Sequence, residues 1–236
     1  MSPVLPTFLI AVALAAVHVG AGTMRTVEDR RRSRWLSAAG GASAAYIFVH
    51  VLPYMAAAHA REGMDSEKLY FLIALAGLVG YYGIERHVRL AAERAGGTRR
   101  GIDRVFWVHV GSFAFYSLVI GCLLLDRDAP GLASLLLYGG AMGLHFLSMD
   151  YGMRLEHAEA YDRIARWILA SAVLAGWLVG WLLEVPRAVV DGLFAFLAGG
   201  LVLNVMKEEL PEERRSSFGA FVAGAAGYGA LLVVLE

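Results

Sequence analysis

Polar side chains set inside long apolar stretches are the parts of this sequence equipped to do chemistry, because a polar group away from water needs a partner or a purpose. Three groups stand out: His50 followed by Pro53, Tyr54 and His59; His109 with Ser112, Tyr116 and Ser117; and His145 with Ser148 and Asp150. His109, Ser112 and Tyr116 stand at helical offsets of zero, three and seven and share one face. Imidazole and carboxylate together suit zinc or another first-row divalent ion. His145 and Asp150 are five apart, about 140° around a regular helix, so they meet on one ion only where that helix is distorted. Pro53, three residues after His50, removes a backbone donor and predicts a kink of the kind found around transporter sites. His18 and His59, near the ends of apolar stretches, read as rings bonded to a neighbouring helix or lying at headgroup level. Glu156, His157, Glu159 and Asp162 read as the solvated end of a span.

The elements that must carry these residues follow from composition. Of 236 residues, 58% are hydrophobic and 18% charged, with mean hydropathy +0.57, a balance that excludes an ordinary soluble domain. Lys+Arg and Asp+Glu number 21 each, so there is no global field to attract nucleic acid. One cysteine, Cys122, excludes an internal disulfide framework and a multi-cysteine metal knuckle. Charge-free stretches measure membrane spans, and there are eight: 1–24, 35–60, 69–84, 105–125, 129–149, 167–183, 192–206 and 216–235. Allowing flanking charges to snorkel, the predicted spans are about 3–24, 35–60, 68–87, 104–125, 130–151, 164–184, 187–206 and 216–235, in a single transmembrane domain of residues 1–236. Asp191, at the start of the seventh, is the least comfortable charge.

Continuous apolar runs select helices over a β-barrel, so the expected fold is all-α, a polytopic bundle of eight transmembrane helices. The first stretch has the length of a signal sequence, but no basic residue precedes it and a basic cluster, Arg25 to Arg34, follows, which reads as a retained span. Lys+Arg number 17 in the odd-numbered connections and 4 in the even ones. Odd connections are therefore expected in the cytoplasm and both termini outside. Glycines at close spacing, such as Gly77 and Gly80, Gly139 and Gly143, Gly176 and Gly180, and Gly224 and Gly227, predict close helix contact. The longest connection, 85–104, holds Gly96 and Gly97 and reads as a mobile cytoplasmic loop.

Two segments are similar to the ZIP (Zrt/Irt-like) metal transporter family. In the second span Gly41 is followed at a nine-residue step by HVLPY at 50–54, which resembles the family's HxLPE ending. In the seventh, LFAFLAGGLVLNVMKEELPE at 193–212 resembles AFxAGGFxYxxxxDxLPE without a gap, with Glu208 at the acidic position. The resemblance implies an eight-helix ZIP-type bundle and a metal centre built from the fourth and fifth spans. Against the family's HNxPEG, alignment on Gly121 puts Ser112 at the histidine, Tyr116 at the acidic position and Ser117 at the glycine. Against HExPHE, the fifth span keeps His145, lacks the proline and second histidine, and has Asp150 for the final glutamate. The implied metal residues are thus His145, Asp150, Ser112 and Tyr116, with His109 as partial replacement and His50 and Pro53 as a kink or gate.

The function expected from this resemblance is a ZIP-like membrane transporter, moving zinc or a similar divalent cation by alternating access, without a nucleotide-binding loop and so driven by the gradient. Metal is then substrate rather than cofactor, the chain is not an enzyme, and its surroundings are the lipid bilayer of the plasma (inner) membrane, with a homodimer among the assemblies allowed. Two other readings stay open. One is a degenerate, non-conducting relative that serves as sensor, scaffold or partner subunit. The other is a zinc-dependent membrane hydrolase with histidines and an aspartate around an activated water.

Overall fold

The computed structural model describes residues 4–21, 29–62, 68–94, 99–125, 131–183, 186–206 and 217–235. Within them every regular element is helical. The predicted signature residues Glu208, Pro211 and Glu212, the pair Gly96 and Gly97, the basic residue Arg25 and the side chain of His59 lie outside the described set.

The elements are α1 (Val4–Gly20), α2 (Asp29–Tyr46), α3 (Leu52–Glu62), α4 (Leu69–Arg94), α5 (Arg99–Leu123), α6 (Leu132–Ala160), α7 (Arg166–Leu182), α8 (Arg187–Asn204) and α9 (Phe218–Leu235). A π-helical turn, Ile47–Val51, joins α2 to α3, and another, Tyr161–Ala165, joins α6 to α7. Among the described residues five segments are long and apolar enough to cross a bilayer: Leu69–Ala91, Phe106–Leu123, Leu132–Leu155, His157–Leu182 and Phe218–Leu235. Val4–Gly20 and Ala188–Leu203 are shorter apolar helices. Such a set fits an integral membrane protein. Phe71, Leu72, Leu75 and Val79 on α4 and Val222, Leu231, Val233 and Val234 on α9 are exposed, as residues facing acyl chains are.

Local sequence explains the breaks. Pro53 has no N–H to return to Val49, and the preceding turn widens so that Leu52 N–H bonds Ile47 O instead. The expected kink is therefore a π turn, and His50 lies within it. Gly131 opens α6 at φ 152°, which a side chain would resist. Pro186 precedes α8 and its carbonyl accepts from Val189 and Val190 N–H.

Between the fifth and sixth predicted spans the chain does not unwind, and Glu159 and Arg163 on it are exposed. The chain stays helical through 151–165 except at His157, whose φ of −140° and ψ of 51° turn it sharply. Arg154 Nε and a terminal guanidinium nitrogen donate to the two carboxylate oxygens of Asp162 at 2.8 and 3.0 Å across this bend. Neighbours along α1 show that the bend is a full reversal. Ile10, Leu14 and His18 of α1 meet Gly139, Gly143 and Asp150 of α6 in parallel order. Thr7 and His18 meet Trp177 and Tyr161 in the opposite order, so α7 runs back along α1.

The helices form two groups. In the first, α5 packs on α7, and α1 lies against both α6 and α7; in the second, α2 packs on α9 and α4 on α8. Three of these pairs are parallel and glycine-sealed from both sides. A Cβ on Gly41 would strike the Phe221 carbonyl, and one on Gly224 the Ala38 carbonyl. Gly77 and Gly199 relate in the same way to Phe196 and Ala74, and Gly121 and Gly176 to Val173 and Leu118. No side chain fits at these crossings, so backbone lies on backbone as the glycine spacing predicted. The groups meet where α2 touches α6 and α5 touches α4 and α8.

Candidate functional site

Each group holds one fully buried carboxylate on a helix, and a cavity lies between the groups. Asp150, late in α6, is 0% exposed. Its Oδ2 stands 2.8 Å from His18 Nδ1 of α1, also 0% exposed. His18 Nε2 faces Ser117 Oγ of α5 at 3.4 Å, and the Phe146 ring covers the imidazole at 4.3 Å between centroids. Tyr161, in the π turn before α7, donates its hydroxyl to the His18 carbonyl at 2.9 Å. One residue from each of α1, α5, α6 and the α6–α7 junction therefore meets at a single point, where apolar packing excludes water. A buried carboxylate is tolerated only when a partner compensates its desolvation, and here the His18 ring is that partner. Asp150 Oδ1 has no hydrogen-bond partner among the described residues.

The order Asp150, His18 Nδ1, His18 Nε2, Ser117 Oγ is that of an acyl-transfer relay. Ser117 is 0% exposed, and the relay ties α1, α5 and α6 together.

The second carboxylate, Asp191 of α8, is 1% exposed. It accepts from the Tyr54 hydroxyl of α3 at 2.5 Å. Tyr54 continues a stack along the second predicted span, with His50 at 6.4 Å and Tyr46 a further 4.9 Å between centroids. Pro53 itself is exposed.

Between the two groups lies a cavity of about 20 Å³, lined by Tyr46, Tyr116, Tyr138, Met142, Phe194 and aliphatic side chains from α5, α8 and the Ile47–Val51 turn. That is room for a single water or a bare ion. Tyr138 donates its hydroxyl to the Ile120 carbonyl. The ring of His145, itself 2% exposed, stands 5.3 Å from that of Tyr116.

The predicted metal residues therefore divide. Tyr116, on the cavity wall, and His145 come together ring against ring, whereas Asp150 turns toward His18. That agrees with a regular helix separating positions five apart by about 140°. Ser112 returns its hydroxyl to the His109 carbonyl at 3.0 Å, and the half-buried His109 ring stacks on Phe113 at 6.0 Å. Among the described residues no three His, Cys, Asp or Glu side chains gather in a way that could hold a metal ion. The sequence reading set His18 aside as structural and treated Asp191 only as an awkward charge. The available signal was the charge itself: an aspartate at a span end needs a donor, and an imidazole and a phenol were on offer elsewhere in the chain.

Compared with known proteins, the chain matches no family model and no curated protein.

Proposed function

We propose that the protein is a membrane carrier of ZIP type that moves a metal cation by alternating access, with eight passages and both termini on the non-cytoplasmic side. The observation that supports this most is the pairing scheme. Exchange α1 with α7, α2–α3 with α8, α4 with α9 and α5 with α6. The pair α2 and α9 then becomes α8 and α4, and α5 with α7 becomes α6 with α1. Likewise α2 with α6 becomes α8 with α5, and α4 with α5 becomes α9 with α6. The last two of these exchanges relate contacts of unequal extent, and α3 against α4 has no counterpart of comparable extent among the described residues. Four of the sealing glycines follow the same exchange, Gly41 and Gly224 falling on Gly199 and Gly77, whereas Gly121 and Gly176 have no backbone-sealing counterparts on α6 and α1. Because α1 and α7 run in opposite directions, this is the arrangement of an inverted repeat, which permits two mirror-related states around a central site. The parallel directions within the other pairs are those that eight alternating passages require.

The cavity between the groups is the place where such a carrier holds its cargo, and the resemblance makes that cargo a divalent ion such as zinc. The test is uptake into proteoliposomes. The carrier is expected to accumulate the ion, and a His145→Ala/Asp150→Ala double variant is expected to lose most of that flux. Equal flux in both removes the reading. A second reading, a non-conducting relative, is favoured by one specific contact: Asp150, the carboxylate that the resemblance assigns to the metal, is already engaged by His18. It predicts that neither form accumulates any ion.

A further inference from the structure

The lipid-facing side of α7 ends in charge. Arg163, Trp167, Ser171, Leu174 and Leu178 are exposed and follow at steps of four, four, three and four residues. They form one stripe along the helix and the π turn before it. Leu174 and Leu178 suit acyl chains, but a guanidinium is too costly to keep in hydrocarbon, so Arg163 holds this end of the span at the headgroup layer. Trp167, 52% exposed, fits that depth, as does Trp181, equally exposed near the other end of α7.

Two guanidinium groups stand at that end without a counter-charge. Arg166, half-buried, lies over the Trp167 ring at 5.1 Å from its centroid, and its Nε is sealed from solvent with no hydrogen-bond partner. It follows Arg163 by three residues, the spacing of neighbours on a helix surface. Among the described residues no carboxylate pairs with either arginine. Asp162 is taken by Arg154 through both oxygens, and Glu159, exposed a turn away, forms no ion pair with Arg163. Guanidinium groups bind phosphate through paired N–H donors, and basic clusters at the ends of spans hold anionic headgroups. A soluble anion would meet the arginines alone, whereas a phospholipid also covers the apolar stripe that continues from them. We propose that an anionic phospholipid binds at the start of α7, its phosphate at Arg163 and Arg166, its glycerol region against Trp167 and an acyl chain along Ser171, Leu174 and Leu178. The site stands apart from the carrier reading; only its leaflet, the cytoplasmic one, follows from the topology proposed above.

The experiment follows thermal unfolding of the full chain in non-ionic detergent with added phosphatidylglycerol, phosphatidylcholine or inorganic phosphate. Phosphatidylglycerol is expected to raise the melting temperature, as a ligand of the folded state must, and the other two are expected not to. Arg163→Gln/Arg166→Gln is expected to melt like the parent without lipid. It is expected to need about thirtyfold more phosphatidylglycerol for the same rise, about fivefold for each arginine. Arg86→Gln/Arg94→Gln, which removes two exposed arginines toward the end of α4, is expected to respond as the parent does. An equal loss in both double variants, or no rise with phosphatidylglycerol, overturns the proposal. A matching rise with inorganic phosphate overturns it too, since the arginines then hold a free anion. Should Arg163→Gln/Arg166→Gln melt early without lipid, brominated lipids decide on the parent. Brominated phosphatidylglycerol is expected to quench Trp167 fluorescence, read as the difference from Trp167→Phe, more than brominated phosphatidylcholine does, and equal quenching overturns the proposal. Metal uptake tests the carrier reading separately, so neither failure can be mistaken for the other.

Discussion

Asp150 depends on a partner 132 residues away in the chain, and this dependence is measurable. Truncating one member of a buried pair strands the other, so His18→Ala and Asp150→Ala are each expected to cost about 3–5 kcal/mol of stability in denaturant unfolding of the detergent-solubilised protein. The double variant His18→Leu/Asp150→Leu, which leaves no charge behind, is expected to be milder than either. Tyr54→Phe removes the hydroxyl that Asp191 accepts and is expected to cost about 1–3 kcal/mol in the same assay. At this scale the sequence disclosed half of each pair. Asp150, His145 and Tyr116 were legible as polar groups in apolar stretches, and the structure places the last two together. His18 was not legible as the mate of Asp150, because helical periodicity relates positions on one helix and carries no information about which helix lies opposite.

Among the elements, the glycines divide by what faces them. Gly121 and Gly176 each present a bare backbone to the other's helix, so Gly121→Ile or Gly176→Ile is expected to part α5 from α7. The cost, about 1–3 kcal/mol for ordinary overpacking, is expected at the upper end because backbone atoms cannot rotate aside. Gly219→Ala and Gly227→Ala, where nothing stands within 4 Å, are expected to leave thermal unfolding unchanged. Close packing was legible from glycine spacing, since only glycine permits it, but spacing did not separate the sealing positions from the open ones. The helical course of 151–165 was not legible either. Charge-free length measures the apolar layer, whereas a helix bearing Arg154, Glu159, Asp162 and Arg163 can leave that layer without unwinding, and α4 likewise continues to Arg94 past Glu85 and Arg86.

For the molecule as a whole, the rocking proposed for the two helix groups requires a boundary that opens. Tyr46 and Tyr138 face one another across it, with ring centroids 6.4 Å apart. A Tyr46→Cys/Tyr138→Cys cross-link is expected to arrest flux in proteoliposomes, and reductant is expected to restore it; flux that persists through the cross-link counts against rocking. Cysteines placed at either terminus are expected to react with an impermeant maleimide from outside intact cells, as the asymmetry of 17 against 4 basic residues requires. That asymmetry and hydropathy made the class of fold legible. Which helices pair was not, because that resides in contacts between helices far apart in sequence.

The reversal at His157 is made by one residue outside helical geometry, with the Arg154–Asp162 ion pair closing it and π-helical turn leading straight into α7. A protease would find no slack strand to cut there, and an epitope tag inserted after His157 would have to break either the ion pair or the winding. Severed or lengthened at that point, the two arms would no longer travel as one hairpin.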